Sequence, residues 1–139
     1  MGTVRTYKDS VVKLIKEKIS DIAMTTAKAF GCTAEVTIWD KYPPTVNHKR
    51  EAEHVARIAK RYFGEDKVKS EGLPMTAAED FSHYLEHKPG CFYMLGSKKP
   101  GENYSLHTSF YDYNDTIIAS GALMFVRILE DRLNVTILT

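Results

Sequence analysis

Three stretches of the chain repeat their apolar residues at helical spacing, and the segments between them alternate apolar with polar or run apolar for a strand's length. Val11, Val12, Ile15, Ile19, Ile22, Ala23, Thr26 and Phe30 share one face of a predicted helix, capped by Asp9 or Ser10 and stopped at Gly31. Ala52, Val55, Ala56, Ala59, Tyr62 and Phe63 form the stripe of a second helix between Asn47 and Gly64. Ile118, Ala122, Phe125, Val126, Leu129 and Leu133 predict a last helix, capped by Asp115, in which Gly121 lets another element approach closely. A short helix fits "AEDFSHYLEHKPG", with acids in its first turn and a stop before Pro89 and Gly90.

Strands are expected at 3–7, "TVRTY", and at 32–40, where Ala34, Val36 and Ile38 alternate with Thr33, Glu35, Thr37 and Trp39. "VKS" after Lys67 is a candidate short strand, and "CFYMLG", 91–96, is apolar throughout, as in a strand covered on both faces. Pro43 and Pro44 interrupt this order, because proline extends neither a ladder nor a helix interior. The arrangement is α/β, with too few strands on either side of the break to close a sheet.

Composition changes this picture little. At 139 residues and 43% hydrophobic, the chain can bury a core and does not read as disordered. A formal charge of +1 gives no bulk attraction to nucleic acid or to an anionic membrane, so neither is expected as a partner. Cys32 and Cys91 belong to no Cys-x-x-Cys pair and are expected as reduced thiols. With no apolar leader and no spanning stretch visible, the expected location is the cytoplasm.

Five histidines are candidates for chemistry: His48, His54, His83, His87 and His107. His83 and His87 have the i, i+4 spacing of a helical ligand pair but lack the glutamate of His-Glu-x-x-His, and a solvated helix face explains them as well. His107, in "LHTSFYDYND", follows the most apolar strand, and ligand sites of open α/β sheets gather at loops after strand ends. Asp112 is near enough in sequence to orient an imidazole, and it could equally cap a turn. Glu79 and Asp80 suit ligation or general-base work, though acids at a helix start more often act as caps. No nucleophile elbow or phosphate-binding loop occurs.

Four segments, read in order, carry a resemblance: "GTVRTY" at 2–7, "YPPTVN" at 42–47, "AEDFSHYLEHKPGCFYMLG" at 78–96 and "LHTSFYDYND" at 106–115. Together the series resembles the C-terminal part of the amidohydrolase branch of the dizinc-type metallopeptidases, the group of hippurate hydrolases and indole-acetyl-amino-acid hydrolases. The resemblance implies that residues 1–41 are the end of a small α+β lid, or dimerisation, domain. Residues 42–139 would be the C-terminal part of a catalytic α/β domain, both domains being incomplete. It further implies two divalent metal ions, zinc or manganese, bridged by a water that attacks the amide of an N-acyl amino acid, with a glutamate as general base.

His107 matches the family's last metal ligand. The other ligands and the base have no counterpart here, so the resemblance implies no catalytic residue in this chain and leaves the substrate-binding residues unknown. Thr108-Ser109 stands where the family has Ser-Pro, tyrosine stands for phenylalanine at Tyr111 and Tyr113, and Ala77 stands for glycine. Loss of that proline leaves the loop less restricted. The expectation is therefore a fragment of an amidohydrolase, inactive alone, whose partner is a homodimer mate or an upstream fragment. A non-catalytic assembly or dimerisation module derived from such an enzyme is the alternative, since an opening strand with unpaired edges recruits partners.

Overall fold

The structure, a computed structural model, describes residues 1–101 and 104–138. Among them lie helices α1 (Asp9–Ala29), α2 (Lys49–Phe63), α3 (Phe81–His87) and α4 (Ile118–Leu133), with 3-10 turns at Glu65–Lys67 and Asp115–Ile117. α1, α2 and α4 fall where the apolar spacing predicts them, and α3 falls within the segment read as a short helix. The described residues contain no strand. A ladder needs a neighbour to take each backbone N–H and C=O, and the segments 3–7, 32–40, 68–70 and 91–96 make none among the described residues.

Two compact units form, Met1–His48 with Gly72–Gly90, and Lys49–Glu71 with Cys91–Thr139. In the first, α1 begins at Asp9 with neither expected cap in use: extended Lys8 precedes it, and the Lys8 carbonyl accepts from the amides of Val11 and Val12. It ends in a Schellman motif. Gly31, at φ +69°, allows its own amide to reach the Lys28 carbonyl and that of Cys32 to reach Ala27, at 3.1 and 2.8 Å. Lys16 pairs with Asp40, tying the helix to the segment that follows it.

The same unit contains α3, whose buried residues are Leu85 and Ser82. The Ser82 hydroxyl donates to the Glu79 carbonyl at 2.7 Å. The acids before the helix thus serve through their backbones, and Asp80 makes no side-chain cap. The helix stops as expected, with Lys88 extended ahead of Pro89. Gly90 packs so tightly that a Cβ there would stand 3.0 Å from the Leu85 side chain. His48 donates its amide to the Gly90 carbonyl at 3.1 Å, and the Gly90 amide donates to His48 Nδ1 at 3.2 Å.

In the second unit Ile58 of α2 is completely buried, although the expected stripe passes beside it. Gly121 of α4 meets Leu95 as anticipated, a Cβ there lying 3.2 Å from the leucine. The buried stripe of α4 is offset from the predicted one. Met124 is buried, whereas Ile118, Phe125, Leu129 and Leu133 of the predicted face are exposed. The helix thus has two apolar stripes side by side, the second uncovered among the described residues. No helix among the described residues is long and apolar enough to cross a membrane.

Asn134 closes α4 in the left-handed conformation, φ 52° and ψ 48°. The Glu130 carboxylate, buried, then takes the amides of Ile137 and Leu138 at 2.6 and 2.8 Å and the Arg127 guanidinium at 2.7 Å. Those two backbone N–H groups, foremost that of Leu138, pull its carboxyl down to about 2. Arg127 also stacks over the Tyr62 ring, 4.6 Å from its centre.

Candidate functional site

His107 sits on an exposed turn in the second unit, between the apolar segment ending at Gly96 and α4. Its backbone is left-handed, φ 65°, a conformation that an imidazole-bearing residue adopts only at a cost. The Thr108 hydroxyl donates to the Ser105 carbonyl at 3.0 Å, and the Tyr111 amide donates to the Thr108 carbonyl at 3.2 Å. The first contact closes a turn around the histidine and the second forms the turn that follows it.

Two further contacts join the stems of this loop. Ser97 Oγ and Tyr111 Oη lie 2.9 Å apart, and Lys99 pairs with Asp112. The Lys99 ammonium holds the Asp112 carboxyl below its usual range. Asp112 is thus engaged by Lys99, and the structure shows no bond from it to the imidazole of His107. Tyr113 packs edge-on against Tyr111 at 5.0 Å, while Tyr104 and Phe110 approach at 5.8 Å. Asn114 caps the 3-10 turn into α4, accepting from the Thr116 amide and hydroxyl, one residue before the expected cap Asp115.

The other histidines have different surroundings. In the first unit His83 contacts the Lys41 carbonyl at 3.2 Å, Glu86 at 3.5 Å and the Tyr42 ring at 5.8 Å. In the second unit His54 lies at the packing of α2 on α4. Arg132 donates to its Nδ1 at 3.1 Å, and its Nε2 is 2.8 Å from Asp131. A guanidinium can only donate, so Nδ1 accepts and the ring proton is on Nε2. Arg57 donates to both oxygens of Asp131, and Arg132 also pairs with Glu51. The Arg57 bonds, followed by that of His54, bring the Asp131 carboxyl down to about 2.

Sequence reasoning missed this group because its halves are some eighty residues apart. The one available signal was Glu51, His54 and Arg57 at i, i+3 spacing beside the apolar stripe of α2. Among the described residues no three of His, Cys, Asp or Glu converge where a metal ion could sit. His107 offers one donor, so these residues alone do not make a metal centre.

Comparison with known proteins places the chain. Residues 3–131 match the model of peptidase family M20/M25/M40, and the chain belongs to that family. Enzymes of the family are metal-dependent peptidases. The chain is 31% identical over 125 residues to thermostable carboxypeptidase 1 of Saccharolobus solfataricus, covering 88% of this chain and 31% of that protein. It is 27% identical over 139 residues to an IAA-amino acid hydrolase of Arabidopsis thaliana, covering 96% of this chain and 30% of the relative. A hippurate hydrolase of Campylobacter jejuni is 27% identical over 126 residues, 91% of this chain and 32% of its own. The chain spans about a third of the length of these curated relatives. No solved structure matches it significantly.

Proposed function

We propose that the chain is the C-terminal part of a metal-dependent amidohydrolase that cleaves the amide of N-acyl amino acids, with His107 supplying one metal ligand. The remaining ligands and the general base come from sequence outside these residues, and the chain alone is inactive. The observation that carries this reading is the left-handed, exposed placement of His107 inside a family match that runs nearly the whole chain. The names of the IAA-amino acid and hippurate hydrolases favour an amide-linked amino acid as substrate. Zinc suits an imidazole ligand, and manganese suits the carboxylate and water oxygens that complete such a site.

On the same reading residues 1–41 end a lid and residues 42–139 belong to a catalytic α/β domain. Their extended segments become strands only beside neighbours supplied by the rest of the enzyme. The uncovered apolar side chains support this: Trp39 is 75% exposed and Phe30 80%, more than a self-sufficient core leaves in water. The enzyme acts in the cytoplasm as a homodimer or with its upstream part.

The test is hydrolysis of hippurate and N-acetyl amino acids with zinc or manganese, by the chain alone and with the polypeptide that supplies the other ligands. Turnover only in the mixture, lost in His107→Ala, is expected. Activity of the isolated chain would overturn its incompleteness, and a fully active His107→Ala mixture would overturn the ligand role. The exposed Phe30 and Trp39 also favour a second reading, a non-catalytic assembly module. Light scattering that finds a monomer at every concentration counts against it.

A further inference from the structure

Resting on the reading of His107 as a ligand, we propose that Thr108, Tyr111 and Asp112 are its positioning residues: they fasten the loop whose turn holds the histidine left-handed. A non-glycine residue at φ 65° relaxes toward ordinary φ unless its surroundings over-determine it. Neither residue beside it restricts the backbone, since Leu106 and Thr108 are not proline and Ser109 follows. The restriction comes from side chains.

Thr108 acts nearest to the histidine. In a turn over Ser105 to Thr108, His107 occupies the third position, where positive φ belongs to a type II turn and where glycine or asparagine is usual. The Thr108 hydroxyl reaches the Ser105 carbonyl at 3.0 Å and closes that turn across the histidine. The Tyr111 amide then returns to the Thr108 carbonyl at 3.2 Å, so Thr108 is common to both turns.

Tyr111 and Asp112 act at the stems. The tyrosine hydroxyl meets Ser97 at 2.9 Å and the next side chain meets Lys99, so two adjacent residues after the turn grip two residues before it. Tyr111 is half-buried and Tyr113 stacks edge-on against it, which fixes the ring that bears the hydroxyl. The Ser97 bond is partly shielded from water, whereas the Asp112 carboxylate is exposed. Tyr111 is therefore the stronger fastening, and Lys99–Asp112 is the part that salt weakens.

The test uses the whole chain, isotope-labelled for NMR, alone and mixed with the unlabelled polypeptide that supplies the other ligands, with zinc chloride as the probe. One readout is hydrogen exchange of the Tyr111 amide together with the φ-dependent coupling at His107; the other is movement of the His107 ring resonances on adding zinc. In Thr108→Val and Tyr111→Phe, Tyr111 exchange rises about tenfold and the His107 coupling drifts from its left-handed value, while α4 amides exchange as in the parent. Thr108→Ser, which keeps the hydroxyl, behaves as the parent. Unchanged exchange and coupling in both variants overturn the fastening even where zinc still shifts His107. Zinc that leaves the His107 ring unmoved in the mixture overturns the ligand reading, and the exchange data from the chain alone then still report whether the loop is fastened.

Discussion

His54 donates from Nε2 to Asp131 at 2.8 Å, and this bond is one of several that clamp α2 to α4. Arg57 holds the same carboxylate from the neighbouring turn of α2. Removing the carboxylate strands both donors together. Asp131→Asn should lower the thermal midpoint of the second unit by a few degrees, and Asp131→Ala by more, in melts followed by circular dichroism. A midpoint unchanged in both variants would show that the clamp contributes nothing.

The same carboxylate makes stability depend on acid. Asp131 and Glu130 both ionise in the folded chain at about 2, below their ordinary values. Their contribution is complete above the usual carboxylate range near pH 4 and is lost as the pH falls toward about 2. Urea midpoints should be flat between pH 7 and 5 and fall between about 4 and 2. The fall should be shallower in a variant carrying Asp131→Asn and Glu130→Gln.

Burial separates two side chains that look alike in sequence. Ile58 is fully buried and Leu133 is 62% exposed. Ile58→Ala should destabilise the second unit by about 3 kcal/mol. Leu133→Ala should change it by less than about 0.5 kcal/mol. Urea unfolding of the two variants side by side measures both.

The left-handed end of α4 offers a substitution that tests backbone conformation alone. Asn134→Ala should cost about 1 kcal/mol, and Asn134→Gly should be neutral or slightly stabilising. The reverse order in chemical denaturation would contradict the cap.

Cysteine reactivity should divide in two. Burial pushes the Cys91 thiol up, with the Glu51 charge adding to it, while Cys32 is exposed. A disulfide reagent near pH 8 should modify one thiol quickly and the other slowly, and Cys32→Ser should abolish the fast phase.

The helices were legible because a helix closes its hydrogen bonds within itself, so the spacing of Ile15, Val55 or Val126 carries its own evidence. Gly31 and Gly64 marked their ends for the same local reason. "CTAEVTIWD" and "CFYMLG" read as strands but form no ladder among the described residues, since a ladder depends on a neighbour the segment does not contain. On α4, spacing could not choose between two adjacent stripes, and Met124 is buried where Phe125 was expected. His107 could be singled out by its setting and motif. Its left-handed backbone could not, because that follows from Thr108 and from Ser97 and Tyr111 meeting across the loop.

The two stripes of α4 differ in what a substitution in them costs this chain. A change at Met124 is felt by this chain at once, and drift there is punished as misfolding. A polar change at Ile118 or Phe125 leaves this chain nearly as stable as before and would pass any screen that scores stability alone. Directed evolution for robust expression would therefore wear that second stripe away silently.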